Sequence, residues 1–148
     1  MTAKETKLLK FIANSSQFVI PIYQRTYSWT EQECFQLWQD ILRAGANEKI
    51  GAHFIGSVVY VQDGNYSVSA QSSLLVIDGQ QRLTTVTLLL AALSDLLDDD
   101  QEIIEDFSKK KLTGRYLIDP FESGDKKYKL ILSQTDKDTL IALIDKSK

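Results

Sequence analysis

Apolar residues recur at helical spacing in the first part of the chain. This spacing predicts a short amphipathic helix over residues 4–13 and a longer helix that runs to residue 44. Ser28 followed by Glu31 matches a capping box, so we expect Ser28 to be the N-cap of the longer helix and Gly45 to end it. The inward face of this helix is expected to carry Phe35, Trp38, Ile41 and Leu42.

Runs of apolar residues between turn-forming residues predict strands. Pro21 ends the first of them, because proline has no N–H to donate to a neighbouring strand. The last strand is followed by a turn at Asp78 and Gly79 and by a long helix over residues 80–97. The pattern predicts a mixed α/β fold, with strands at residues 17–20, 53–62 and 73–77, a hairpin turn at 63–65 and a return strand beginning over 66–70.

Charged residues divide the chain unevenly. Residues 1–97 carry 15 charged side chains, whereas residues 98–148 carry 22 in half the length. This predicts a compact core over residues 1–97 and a solvated helical extension over residues 98–148. Because the chain stops directly after the apolar run at residues 140–144, we also expect it to be cut from a longer protein. In the extension we expect helices near residues 101–112 and 135–146, a turn at Asp119 and Pro120, and a loop around Gly124.

Composition narrows the class of protein. The 148 residues carry 17 basic and 20 acidic side chains, so the net charge of −3 excludes a general basic coat for nucleic acid but not a local basic patch. Cys34 is the single cysteine, which predicts a reducing, cytoplasmic location. Beside it stands one histidine, His53, so no structural metal is expected. The most apolar stretch, residues 83–97, is too short and too polar to span a membrane, so no membrane partner is expected.

The junction between the last strand and the long helix is suited to binding an anion. The first turn of a helix exposes free backbone N–H groups and carries partial positive charge. Arg82 lies in this turn and offers a charged fork to phosphate oxygens, while Gln80 and Gln81 add uncharged donors. Asp78 is expected either to cap the helix or to hold a hydrated Mg²⁺ beside a phosphate. The alternative is an ordinary capped helix with a surface arginine, and neither a P-loop nor a Rossmann glycine pattern is present.

Two further segments carry candidate binding groups. Tyr23, Gln24 and Arg25 follow the first strand and could stack on a base and neutralise a phosphate. Alternatively, this aromatic-rich loop fixes the entry of the next helix, and Arg25 pairs with a nearby acid. His53 stands at the start of the predicted middle strand, where it serves either a structural role or, if it lies near Arg82, as a phosphate donor or general base.

Three motifs together resemble one family. They are I-P-x-Y-Q-R-x-Y-x-W at residues 20–29, H-F-I-G-S at 53–57 and V-I-D-G-Q-Q-R-L-T-T at 76–85. In order and spacing they resemble the N-terminal domain of the GmrS/GmrD-type restriction proteins, over about residues 4–145. The resemblance implies a ParB/sulfiredoxin-like core that binds and hydrolyses nucleoside triphosphates with Mg²⁺. It also implies coupling to cleavage of modified phage DNA by an HNH-type nuclease domain, on the same or a partner chain. With one histidine, this chain is expected to lack that nuclease and to form at most half of an NTPase site.

The resemblance also implies roles for particular residues. Asp78, Gln81, Arg82 and His53 would be catalytic, with Asp78 or Gln81 orienting a metal ion or water and Arg82 neutralising phosphates. The nucleotide would be bound by Tyr23, Gln24, Arg25, Ser57, Gly79, Gln80 and Arg82, and Gly79 would allow the backbone to approach it closely.

A second function stays open at this point. ParB-like folds also hold DNA, and a non-catalytic DNA-binding module would use arginine and lysine side chains to contact phosphates. The candidates for those contacts are Arg25, Arg43, Arg82 and the run Lys109–Lys111, although such a run is also typical of a solvated helix end.

Overall fold

The computed structural model describes residues 3–62 and 73–146 and shows a mixed α/β fold, as the sequence predicts. The described helices are α1 (Leu8–Asn14), α2 (Glu31–Ala46), α3 (Gln80–Leu96), α4 (Lys109–Tyr116), a 3-10 turn (Gly124–Lys127) and α5 (Gln134–Asp145). The described strands are β1 (Phe18–Val19), β2 (Val59–Gln62), β3 (Leu74–Asp78), β4 (Glu102–Ile104), β5 (Phe107–Ser108) and β6 (Leu130–Ile131). The finer assignment to a ParB/sulfiredoxin-like core stays a prediction.

Four strands form the main sheet, in the order β2-β3-β1-β6. β1 lies parallel to both β3 and β6, while β2 runs antiparallel to β3. Phe18 pairs with Leu74 on one side and Leu130 on the other, so the centre of the sheet is assembled from three distant parts of the chain. β3 ends where α3 begins, and this places the first turn of α3 at the carboxyl edge of the parallel strands.

One hydrophobic core runs through the described residues. Its most buried members come from α1, β1, β3, α3, α4, the C-cap of α4 and β6, and include Ile12, Phe18, Val76, Leu83, Leu112, Leu117 and Leu130. The proposed boundary at residue 97 falls at the end of α3. Beyond it the chain returns to the same core, because β6 joins the sheet and Leu112, Leu117 and Leu140 are buried in it.

The N-cap of α2 is Thr30, not Ser28 as the sequence predicts. Thr30 and Glu33 form the capping box, in which the Thr30 N–H donates to Glu33 Oε2 at 2.7 Å. Ser28 matches the same pattern, but its N–H donates to the side chain of Gln81 on α3, which holds it outside the helix. The helix also continues through Gly45 to Ala46.

The predicted inward face of α2 is wrong for three of its four residues. Phe35 is 62% exposed, and Trp38 and Leu42 are also exposed, while Ile41 is partly buried against the core and Leu37 is the buried residue of the helix. Apolar spacing shows which side chains share a helix face, but it does not show whether another element covers that face.

Two further predictions are corrected. Of the strand predicted over residues 53–62, only Val59–Gln62 forms, because Val59 already lies opposite Asp78 at the end of β3 and the earlier residues extend past that end. The predicted helix over 101–112 is instead the β4–β5 hairpin followed by α4, with Asp106 at positive φ in the hairpin turn. The predicted turn at 63–65 and return strand at 66–70 lie outside the described residues.

Candidate functional site

The turn between β3 and α3 depends on a glycine. Gly79 is the N-cap of α3 and has φ of +95°, a conformation that L side chains rarely adopt. A Cβ at this position would lie 2.7 Å from the Ser57 carbonyl oxygen, so the turn packs directly on the backbone of the segment before β2. Asp78 does not cap α3; its Oδ1 accepts the Gly79 N–H at 2.9 Å.

Most residues in the first turns of α3 are buried although these turns are rich in polar residues. Thr84 and Thr87 are buried, and their hydroxyls donate to the carbonyls four residues earlier, at 2.7 Å and 2.9 Å. Buried hydroxyls with internal partners avoid the desolvation penalty, which allows a threonine-rich helix in the middle of the core. The start of α3 is therefore packed into the core with its polar groups paired.

Arg82 lies across the backbone of Gly56. A Cβ at Gly56 would lie 2.7 Å from both Cζ and Nε of Arg82, and Gly56 has φ of +120°. The Arg82 residue is exposed, and among the described residues its guanidinium has neither a hydrogen-bond nor an ion-pair partner. Its donors are available to an anion at the start of α3.

A loop that we call the Arg25 loop (residues 24–29) lies against the same turn. Gln24 Nε2 donates to the Ile77 carbonyl at 3.2 Å. Gln81 Nε2 donates to the Thr26 carbonyl at 3.2 Å, and Gln81 Oε1 accepts the Ser28 N–H at 2.9 Å. The first and third sequence motifs are thus joined by direct hydrogen bonds.

Tyr27 anchors the middle of the Arg25 loop. Its N–H donates to Oδ2 of Asp136 on α5 at 2.7 Å. Its hydroxyl is 2.8 Å from Thr85 Oγ1 and 3.2 Å from Cys34 Sγ. Because the Thr85 hydroxyl donates to the Gln81 carbonyl, the Tyr27 hydroxyl is the donor to Thr85. Burial raises the pKa of the Tyr27 phenol, and the hydrogen bond with Cys34 also raises it, so the phenol is protonated at neutral pH.

A small cleft of about 10 Å³, enough for about one water molecule, opens between the Arg25 loop, α3 and α5. Its lining combines one cation, one carboxylate and several neutral polar groups with two apolar side chains. This lining includes neither Asp78 nor Arg82, and the Arg82 side chain lies against Gly56 instead. The lining residues are Ile20, Arg25, Tyr27, Gln80, Gln81, Thr84, Leu132, Ser133 and Asp136.

Three residues expected at the site are placed differently from the others. His53 Nε2 lies 3.6 Å from Oδ2 of Asp40 on α2, so its described partner is a carboxylate of that helix. Ser57 contributes its backbone, which packs on Gly79, and its side chain is exposed. Tyr23 is 73% exposed. Contacts at the start of α3 thus bring together the Arg25 loop, residues 56–58 and residues 79–82, while His53 lies against α2.

A comparison with known protein families identifies the family of this chain. Residues 6–148 match the family described as the GmrSD restriction endonuclease, N-terminal domain. The chain belongs to this family. No curated protein sequence is significantly similar to it. The family is one of restriction endonucleases, and the match is to its N-terminal domain.

Ser133 and Asp136 are cleft residues of this GmrSD domain that the sequence analysis missed. Ser133 is the N-cap of α5 and Asp136 lies in its first turn. The spacing of a serine followed by an acidic residue three positions later is a signal for a helix start. It does not show that this helix start meets the Arg25 loop more than 100 residues away.

The basic run of the GmrSD domain is largely compensated by acidic neighbours. Lys109 lies 3.5 Å from Asp99, and Lys111 lies 2.9 Å from Asp106. Arg115 also pairs with Asp106, at 3.1 Å. Hydrogen bonds from Lys111 and Arg115 hold the pKa of the Asp106 carboxyl below its usual value. A run paired in this way offers little net charge to DNA phosphates.

Neither a membrane span nor a protein-only metal cluster is found in the described parts of the chain. None of the helices there is both long enough and apolar enough to cross a membrane. Across residues 3–62 and 73–146, no group of three or more His, Cys, Asp or Glu side chains is arranged to hold a metal ion.

Proposed function

We propose that this domain binds a nucleoside triphosphate, together with Mg²⁺, at the start of α3, and that the full endonuclease hydrolyses it during restriction of modified DNA. The observation that carries the proposal is the pair of arginines flanking one helix start. Arg25 lies in the cleft on one side of the turn, and Arg82 lies over Gly56 on the other. Neither has an ion-pair partner among the described residues.

The polar groups near this helix start suit the charge of a triphosphate. The N-terminus of α3 supplies backbone donors and partial positive charge. Gln80 lines the cleft and adds an amide donor. The two guanidinium groups can bind phosphate oxygens through paired N–H donors, which is the geometry that arginine favours.

The carboxylates near the turn fit Mg²⁺ held jointly with phosphates. Asp78 uses Oδ1 for the Gly79 N–H, and Asp136 uses Oδ2 for the Tyr27 N–H, which leaves each with a second oxygen. Mg²⁺ in phosphate sites commonly takes one or two carboxylates and completes its shell with phosphates and water. When bound, it would offset phosphate charge, and Asp78 is the residue that we propose to hold it.

The small size of the cleft supports a site that is completed outside this domain. About 10 Å³ is far less than the usual volume of a small-molecule pocket, which is on the order of 300–1,000 Å³. We infer that the domain binds the phosphates, and that an HNH-type nuclease part, on the same or a partner chain, cuts the DNA.

Calorimetric titration of this chain with Mg²⁺-ATP and Mg²⁺-GTP tests the proposal. Arg25→Ala and Arg82→Ala should each weaken binding by about 10- to 100-fold, because a charge-assisted hydrogen bond contributes about 1.5–3 kcal/mol. Arg43→Ala is the matched control, since Arg43 is exposed on α2 and pairs with Asp40 away from the turn. Full affinity in Arg82→Ala would contradict the site. No binding and no phosphate release, either by this chain or by the full endonuclease, would contradict the function.

A further inference from the structure

The Arg25 loop is fastened to α3 by the buried side chain of Gln81. Gln81 is 6% exposed, and its amide reaches across to the loop backbone. Nε2 donates to the Thr26 carbonyl at 3.2 Å, and Oε1 accepts the Ser28 N–H at 2.9 Å. The two bonds lie on either side of Tyr27, and the first is on the residue next to Arg25. Both polar ends of the amide are therefore used to hold the loop.

The chemistry of this contact requires a primary amide. One side chain must donate to a carbonyl and accept from an N–H two residues further along, and glutamine does both with one planar group. An ionised carboxylate could accept but not donate, and an aliphatic side chain of similar size could do neither. Both bonds are only partly buried, so without the amide the Thr26 carbonyl and the Ser28 N–H can bind water instead, and the loop is released on this side.

The other attachments of the loop do not substitute for Gln81. Asp136 and Thr85 hold Tyr27, through its N–H and its hydroxyl. Gln24 binds the Ile77 carbonyl on the other side of Arg25, in an exposed contact. Between these points, the partly buried bond from Gln81 to Thr26 is the contact next to Arg25 in sequence.

We propose that Gln81 is a positioning residue that acts through Arg25, in place of the water-orienting role expected from the sequence. Its amide fixes the backbone next to Arg25, and this keeps the guanidinium at the start of α3 without the amide touching the triphosphate. The proposal rests on the proposed function, because the consequence of a misplaced Arg25 is a weaker hold on phosphates.

A double-mutant cycle on nucleotide affinity tests this role. Gln81→Leu should weaken binding of Mg²⁺-ATP by about tenfold when Arg25 is present and by less than twofold in the Arg25→Ala background, because residues that act together are not additive. The control cycle pairs Gln81→Leu with Arg82→Ala, where the two effects should multiply. Equal weakening in the presence and absence of Arg25 would show that Gln81 contacts the nucleotide itself. If Gln81→Leu does not fold, Gln81→Met takes its place, since methionine fills irregular space well.

A second measurement does not depend on any nucleotide. Trypsin cleaves after arginine, and Arg25 is exposed at the edge of the loop that Gln81 holds. Cleavage after Arg25, followed by mass spectrometry, should be at least tenfold faster in Gln81→Leu, while cleavage after Arg43 should be unchanged. An unchanged rate at Arg25 would overturn the proposal. If Gln81→Leu is cleaved faster but the unsubstituted chain binds no nucleotide, the hold of Gln81 on the Arg25 loop is confirmed and the proposed function is contradicted instead.

Discussion

Replacing Gly79 with alanine tests whether the turn at the start of α3 depends on the absence of a side chain. Two separate penalties act at this position. The φ of +95° is strained for an L residue, which costs about 1–2 kcal/mol. The new Cβ would also lie 2.7 Å from the Ser57 carbonyl oxygen and 3.1 Å from the Val58 Cα. Because these are backbone atoms, the segment before β2 must shift, at a further cost of about 1–3 kcal/mol.

The free energy of unfolding should therefore fall by about 2–5 kcal/mol in Gly79→Ala. Two other glycines separate the penalties. Gly124 has φ of +61° with no atom within 4 Å of an added Cβ, so Gly124→Ala should show the conformational cost alone, about 1–2 kcal/mol. Gly114 lies inside α4 in open space, and Gly114→Ala should stabilise the protein by about 0.5–1 kcal/mol.

Urea unfolding followed by tryptophan fluorescence measures all three variants, with the slope of the transition as a check that unfolding remains two-state. The melting temperature offers a parallel readout, since 1 kcal/mol corresponds to roughly 2–4 °C in a domain of this size. If Gly79→Ala is no less stable than Gly124→Ala, then the close approach of the turn to residues 57–58 does not constrain this position, and the reasoning is wrong.

Three further predictions concern the rest of the fold. Thr30→Ala should lower the free energy of unfolding by about 1 kcal/mol in the same urea assay, because the N-cap of α2 is lost. Ser28→Ala should change it by less than half as much, because the Ser28 backbone N–H stays in place. Lys129→Met should destabilise the protein by about 1–3 kcal/mol in thermal unfolding, because the Lys129 ammonium is buried and donates to the Ser15 carbonyl at 2.5 Å and the Ala13 carbonyl at 3.3 Å at the end of α1. For Tyr27, whose pKa is raised by burial, the folded state holds the phenolic proton more tightly than the unfolded state. The contribution of Tyr27 to stability is complete below about pH 10 and is lost as the pH rises through the pKa of its phenol in the folded state. Tyr27→Phe should therefore reduce the loss of stability at alkaline pH, and an unchanged dependence of stability on pH would contradict the raised pKa.

The junction of β3 and α3 could be predicted from sequence because every signal there is local. An apolar strand, a glycine at the turn and a helical repeat follow one another within a few residues, and the structure places the helix start at Gln80 as expected. The cap of α2 shows the opposite case. Ser28 and Thr30 both stand three residues before a glutamate, so the local pattern is the same for each. A hydrogen bond from Ser28 to Gln81, which is 53 residues away in the chain, decides between them.

The cleft could be predicted only in part for the same reason. Arg25 and Gln80 belong to motifs that stand out in the sequence, and both line the cleft. Asp136 does not stand out in the sequence. Its carboxylate accepts the Tyr27 N–H only because β6 joins the sheet and brings α5 to that edge. Long-range pairing of this kind leaves no signal in local periodicity.

The contacts among the three motifs divide their residues into two kinds. Gln81 binds the backbone of the Arg25 loop, and Gly79 packs on the backbone of Ser57. These residues hold the motifs to one another, so substituting them should disturb the site through geometry. Arg25, Gln80 and Arg82 are different, because their side chains have no hydrogen-bond or ion-pair partner among the described residues. Such side chains make no contact that holds the fold together, and the rest of the motif keeps them at the helix start. They are therefore the ones that we expect to contact phosphate.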